Sequence, residues 1–526
     1  MPTVPEVLPD NVEQLQQLLL VERQQSADKD SQIAQLQQQY PHMLEQFRLA
    51  QQRQFGRSSE ASADQLGLFN ESEQLTEETA EEAVPERETL TYTRNKPKRK
   101  PLPKDLPRET VVHDIAAADK VCDCCGGELH KIGEDSSEQL EFIPASIKVI
   151  EHIRPKYGCR HCEQHGTGVD IKIAPPPPTP IPKSIATASL LSQVITSKYQ
   201  YALPLYRQEQ LFKHHGIELS RKTLASWMLQ CSDLLMRIYQ RLHQLQLQQA
   251  VIHADETPLK VIHEDKSQCY MWVYCTGTDS PPEQDRAKEP DKPPRNIVLY
   301  DYQASRSSQC VRDYLQGYSG YLQVDGYAAY DRTDATLVGC MAHARRKFVE
   351  AQKVQAKGKS GKADWAINHI GKLYRIETEI KAKSPEQKQA LRQQHAQPLL
   401  EQLKSWLDKS AMQVPPKSAI GKAIAYSLRQ WPKLIRYVDD GRLSIDNNRA
   451  ERAIKPFVIG RRNWMFANTS NGAQASAVLY SVVESAKTNG LTPFDYIKHL
   501  LDELAKQPES IEHLLPWNVD LTQIAL

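Results

Sequence analysis

Between residues 249 and 330 the chain changes periodicity, and that change constrains its fold class more than any other feature. AVIHADETPLKVI, CYMWVYCTG and NIVLYDY are short apolar runs rich in β-branched and aromatic residues, and each predicts a strand. SSQCVRDYLQGY predicts a helix, and GYLQVDGYAAY opens with a fourth strand. Three strands, a helix and a strand in that order predict a mixed α/β core. Residues 185 to 245 before it look helical, and residues 342 to 440 after it read as an inserted helical unit. FVIGRRNWMFA offers one more strand, and from about residue 472 the chain is helical to its end.

At 526 residues the chain is too long for one core, and ordinary domain sizes suggest three or four. Leu8, Val12, Leu15 and Leu19, then Ile33, Leu36, Tyr40, Met43 and Phe47, keep a heptad register. Glu22, Ser26, Lys29 and Pro41 interrupt it, so residues 1–57 predict two short coiled-coil helices able to pair with a second copy. Residues 58–104 form a linker, acidic at first and then basic. A zinc ribbon follows over 105–174, ended by the stiff spacer APPPPTPIPK, and a helical domain over 175–247. The mixed α/β core is expected in two parts, 248–341 and 441–471, around the insertion at 342–440, with a helical region at 472–526.

A hydrophobic share of 40% and a charged share of 25% are ordinary for a soluble protein. No apolar run approaches the length of a membrane span, and the N-terminus lacks a signal-peptide pattern, so a cytoplasmic protein is expected. The net charge of +1 makes no global field for nucleic acid, so contact with DNA must come from local patches.

The acids carry the chemistry. Asp255 lies in the apolar strand VIHADETPL, and Asp325 ends the apolar strand YLQVDGY. A carboxylate in a buried strand is costly unless something compensates it, and two at strand ends suggest a shared cation. SIDNNRAERAIKPF supplies a third acid: Asp446 or Asn447 can cap a helix there, and Glu451 shares a face with Asn447 and Asn448. Hard oxygen ligands suit Mg2+ or Mn2+, and two ions about 4 Å apart suit in-line phosphoryl transfer.

Cys122-x-x-Cys125-Gly-Gly and Cys159-x-x-Cys162 form a paired-knuckle pattern for one structural Zn2+. Cys124, His161 and His165 are weaker candidates. The remaining cysteines read as small core residues. In RNKPKRKPLPK, Lys96, Lys98, Arg99 and Lys100 lie among prolines as an extended strip that can track phosphates. LFKHHGIELSRKTLASWMLQ has a helix-turn-helix layout, with Gly216 at the turn and Ser220 as cap. There Leu224, Trp227 and Met228 face inward, while Arg221, Lys222 and Ser226 face outward.

In series, the motifs resemble the transposases of the insertion-sequence sixty-six family (TnpC type). QFGRSSE with QLGLFNE, KPKRKPLPKDLPRETVVHDI, CDCCGGEL, YGCRHC and SKYQYALPLYRQEQLFKHHGIELSRKTLASWM match its leading blocks in order. HADETP, QVDGYAAYD, CMAHARRKF and DNNRAERAIKPFVIGRRNW match its catalytic blocks. The resemblance implies a DDE transposase with an RNase-H-like core, whose acids fall at Asp255, Asp325 and Glu451, with Glu484, followed by the basic Lys487 as in some DDE families, as the alternative third acid. It also singles out Cys340 and His343, for which packing or DNA positioning is the favoured role, since two ligands are too few for a closed zinc site. Arg345, Arg346 and Lys347 form one basic cluster near these motifs. Arg449, Arg452, Lys455, Arg461 and Arg462 form another, beside Trp464, which suits either base stacking or core packing. The resemblance further implies double-stranded DNA as partner, both inverted repeats and target. It implies a dimer or higher oligomer, accessory proteins of the same element, no membrane, and a bacterial, nucleoid-associated location. A nuclease that cuts without joining, and a catalytically silent regulator, are the competing readings.

Overall fold

A computed structural model describes residues 11, 16–17, 19–32, 43, 147–157, 172–266, 268–277, 295–354 and 361–521. The acidic linker, the strip with Lys96, Lys98, Arg99 and Lys100, and the four cysteines Cys122, Cys125, Cys159 and Cys162 lie outside the described residues. Val84–Ala174 form one compact unit, and Met1–Ala83 with Pro175–Leu526 form another. In the first, Lys156–Tyr157 pairs antiparallel with Lys172–Ile173. In the second, residues 19–32 are helical, with Leu19, Leu20 and Val21 exposed.

The core of the larger unit is a five-stranded mixed sheet. Its strands are β1 (Val251–Leu259), β2 (Cys269–Cys275), β3 (Val298–Gln303), β4 (Tyr321–Gln323) and β5 (Thr336–Val338), in the order β3-β2-β1-β4-β5. The first three form an antiparallel meander, and β4 and β5 join parallel to β1. β1 is therefore central, and its Val251, Ile252, Ala254 and Leu259 are buried. β5 was not anticipated, because three residues carry too little pattern.

Three helices precede the sheet: α1 (Ala188–Tyr199), α2 (Leu205–His214) and α3 (Arg221–Gln246). α2 ends before Gly216, whose φ of +74° suits glycine. Ser220 Oγ accepts the N–H of Thr223 and caps α3, as the spacing predicts. Leu224, Trp227 and Met228 are buried while Arg221, Lys222 and Ser226 are exposed. α4 (Ser308–Tyr314) connects β3 to β4.

After β5 come α5 (Met341–Lys353), α6 (Lys362–Glu379), α7 (Pro385–Leu391), a π turn at Arg392–Ala396, α8 (Gln397–Ala411) and α9 (Ala419–Leu434). These helices build a second hydrophobic core around Phe348, Ile370, Leu403 and Trp431. The chain returns to the sheet through α10 (Asn448–Trp464), α11 (Ser470–Thr488) and α12 (Pro493–Leu504). FVIGRRNWMFA is thus not a strand: Ile454, Phe457 and Val458 are buried at helical spacing on α10. Pro456 within it offers no N–H, and the hydroxyl of Tyr300 donates to the Ala453 carbonyl at that turn.

α11 covers the sheet edge. Ser485 Oγ accepts the N–H of Val298 and donates to its carbonyl, and Ser481 Oγ accepts the N–H of Tyr300. Edge groups of β3 that would otherwise lack partners are thereby satisfied.

Asp301 on β3 is buried, which pushes its carboxyl up to about 6, against the Nε2 donor of Gln303 at 2.8 Å. A folded-state pKa above the unfolded value means the folded protein binds more proton between about pH 4 and 6, so this group's contribution falls as pH rises through that window. Asp301→Asn should therefore gain about 2 kcal/mol at pH 7.5 and little at pH 4. Denaturant melts of both proteins at the two pH values check this, and an equal gain at both would contradict it.

Candidate active site

Parallel pairing brings two acids together. Val251, Ile252 and His253 of β1 stand opposite Tyr321, Leu322 and Gln323 of β4. Continued for two residues, that register sets Asp255, in the middle of β1, beside Asp325, just past the end of β4. Asp255 Oδ1 accepts the N–H of Glu256 at 2.9 Å, and Asp325 Oδ1 accepts the N–H of Tyr327 at 2.8 Å. Between Asp325 and Tyr327, Gly326 turns the chain at φ +99°. The insertion holds this turn: Tyr426 of α9 donates to the Asp325 carbonyl at 2.7 Å, and Gln430 donates to that of Gly326 at 3.3 Å.

Glu451 comes from the first turn of α10 and is 2% exposed. The segment before it is sewn to both acid-bearing strands. Gln323, two residues before Asp325, accepts the N–H of Ser444 at 3.2 Å and donates to the Asp446 carbonyl at 2.8 Å. Asn447 Nδ2 donates to the Ala254 carbonyl at 2.8 Å, and its Oδ1 meets His253 Nδ1 at 3.3 Å. Asn447 is the N-cap residue, yet its side chain serves the strand, and Asp446 Oδ1 accepts the N–H of Asn448 instead. Asn447→Ala should leave a buried carbonyl unpaired and a cavity behind, costing about 2–3 kcal/mol in denaturant melts. A loss below about 0.5 kcal/mol would remove the clamp from the account.

Burial first, and then the carboxylates of Glu256, Asp325 and Glu451, push the Asp255 carboxyl well above its usual range. Four acids share this region, for Glu256 is held by Arg306 and by the Tyr330 hydroxyl, which donates at 2.7 Å. Arg306 lies 3.7 Å over the ring of Tyr327. Glu256 was missed in the sequence, although two consecutive acids in an apolar strand were a visible signal. The oxygens of Asp255, Asp325 and Glu451 do not all lie within 4.8 Å of one another, yet as hard donors they fit Mg2+ or Mn2+, and nothing in that set favours a softer ion. Glu484 sits elsewhere, on α11, where Lys487 donates to both its oxygens at 2.8 and 2.9 Å.

Cys340 and His343 meet Glu451. Their ligand atoms lie within 4.8 Å of one another, the only such group of three or more among the described residues. Burial and the Arg346 guanidinium push the His343 pKa down to about 4, so the ring is neutral at neutral pH.

The basic residues are spread over several surfaces. Arg346 Nη2 is 3.9 Å from Glu451 Oε1, at the acids, whereas Arg345 is 8% exposed and faces inward. Arg452 and Arg462 are exposed, and Arg461 Nη1 donates to Thr257 on β1 at 3.2 Å. Trp464 packs 6.1 Å from Tyr480, with Lys198 5.9 Å over its ring.

Comparison with known proteins bears on this arrangement. The family described as "Transposase IS66 family" matches residues 183–475, more than half the chain. The "zinc-finger binding domain of transposase IS66" matches 119–163, "Transposase C of IS166 homeodomain" matches 42–111, and the "IS66 C-terminal element" matches 481–517. Two similar chains from Sinorhizobium fredii (strain NBRC 101917 / NGR234) bear the names "Uncharacterized protein y4jD" and "Uncharacterized protein y4hP". The first is 35% identical, covering 77% of this chain and 79% of its own, and the second is 32% identical, covering 88% and 86%. No solved structure matches. No helix among the described residues is long and apolar enough to cross a membrane. With its core, its zinc-finger segment and its C-terminal element all matched, the chain belongs to the IS66 family of transposases.

Proposed function

We propose that the chain cuts the ends of an insertion sequence and joins the freed 3′-hydroxyls to target DNA. What supports this reading is the register that, continued, sets Asp255 beside Asp325, together with the Glu451 carboxylate close enough to raise the Asp255 pKa. The strand order β3-β2-β1-β4-β5, an antiparallel meander followed by two parallel strands, supports an RNase-H-like core. Two Mg2+ or Mn2+ ions would activate the attacking oxygen and stabilise the leaving one. Asp255 would hold both ions, and Asp325 and Glu451 one each. Arg346, Arg452, Arg461 and Arg462 would meet phosphates, Lys96, Lys98, Arg99, Lys100, Arg221, Lys222 and Arg345 would also contact DNA, and Trp464 would support this surface. One Zn2+ on Cys122, Cys125, Cys159 and Cys162 would fold the ribbon. Two copies of the chain would hold the two ends.

The test is a strand-transfer assay with pre-cut ends and Mg2+. Joined product that disappears in Asp255→Asn supports the reading. Cleavage without joining would make the protein a nuclease, and no metal-dependent cleavage at all would make it a regulator.

A further inference from the structure

Cys340 precedes α5, His343 lies in its first turn, and Glu451 reaches the same point from α10. This group differs in kind from the acids, since it offers one sulfur, one imidazole nitrogen and one carboxylate oxygen. His343 Nδ1 is buried without a hydrogen-bond partner, 3.6 Å from Glu451 Oε1. Two N or O ligands on one tetrahedral ion stand about 3.3 Å apart, so that gap is close to the one an ion would span. Cys340 Sγ accepts the backbone N–H of Asn447 at 3.2 Å, and the backbone N–H of His343 also bonds to it. Backbone donors turned onto a sulfur, with the second ligand three residues on, are what a metal-binding knuckle needs in its outer shell.

We propose that Cys340, His343 and Glu451 bind one thiophilic divalent ion, best suited to Zn2+, at a site that shares only Glu451 with the two-ion acid site. Sulfur and imidazole select zinc over magnesium. Three protein ligands leave a fourth position open to water. The Cys340 proton leaves to solvent as the ion binds, so thiolate and carboxylate together balance the 2+ charge. The ion also displaces Arg346, whose Nη2 stands 3.9 Å from the same oxygen of Glu451. A consequence rests on the transposase reading: Glu451 cannot serve both sites fully, so zinc here antagonises Mg2+ at the acids.

The site is tested apart from that reading by metal binding alone. Full-length protein is stripped by chelation and loaded with Co2+ or Zn2+, then dialysed and analysed. Two ions per chain are expected, one in the ribbon and one here, falling to one in both Cys340→Ser and His343→Ala. The thiolate-to-cobalt absorption should fall by about a fifth in Cys340→Ser, one sulfur of five. Circular dichroism identifies a variant that fails to fold, and the other then decides. Unchanged stoichiometry in a folded variant overturns the site. In DNA cleavage at millimolar Mg2+, micromolar Zn2+ should slow the parent at least tenfold. Undiminished cleavage with the site filled overturns the antagonism.

Discussion

Glu451→Gln should slow cleavage of transposon-end DNA by about a hundred- to a thousandfold, without loss of thermal stability in metal-free protein. Glutamine keeps the volume of a side chain that is 2% exposed, so packing around it survives. Only the charge goes, and that charge lies in a buried cluster where the carboxylates already raise the Asp255 pKa. Metal-free protein is relieved of repulsion, whereas metal-loaded protein loses a ligand. Cleavage on a labelled end substrate, with a melt on the same preparation, reads both. Cleavage within tenfold of the parent would remove Glu451 from the site.

Arg392→Ala should cost about 3–5 kcal/mol, although Arg392 touches none of the acids. Its side chain is 3% exposed. It donates to both oxygens of Glu377 at 2.9 and 2.6 Å, and to the carbonyls of Tyr437 and Asp440 at 2.9 and 3.1 Å. Removing it leaves a buried carboxylate and two carbonyls uncompensated. The two carbonyls belong to the stretch that leads into α10, so end cleavage should weaken along with stability. Arg392→Met combined with Glu377→Met should recover much of the stability, because a well-packed apolar pair of similar volume replaces a buried ion pair at little cost. Urea unfolding of the parent and both variants decides it. A loss below about 1 kcal/mol for the single change would mean solvent reaches the pair more readily than its burial indicates.

The parts of the fold legible in the sequence are those with a long local pattern. β1, β2 and β3 are apolar runs of six to nine residues, and the turn between α2 and α3 carries its glycine and its serine cap. β5 was hidden because Thr336–Val338 acquires its meaning only from pairing with β4. FVIGRRNWMFA misled because its aromatic and β-branched residues imitate a short strand, and only packing against β1 and β2 selects the helix. At the site, strand position pointed to Asp255 and Asp325, but their matched register follows from a parallel pairing that local pattern cannot give. The roles of Gln323, Asn447 and Tyr426 were illegible for the same reason, since each side chain's partner lies about a hundred residues away or more. Cys340 and His343 stood out as a pair, and the third member of their group, Glu451 from the first turn of α10, became visible only in the fold.

The bond from Asn447 to Ala254 spans 193 residues of chain. A polypeptide still emerging from the ribosome, with residue 400 just made, already carries Asp255 and Asp325 but neither the helix that brings Glu451 nor the clamp that seats it. Such a long closure forms late. On the proposed reading, each nascent copy would be unable to cut DNA until most of its length exists, a delay set by the order of the gene rather than by any inhibitor.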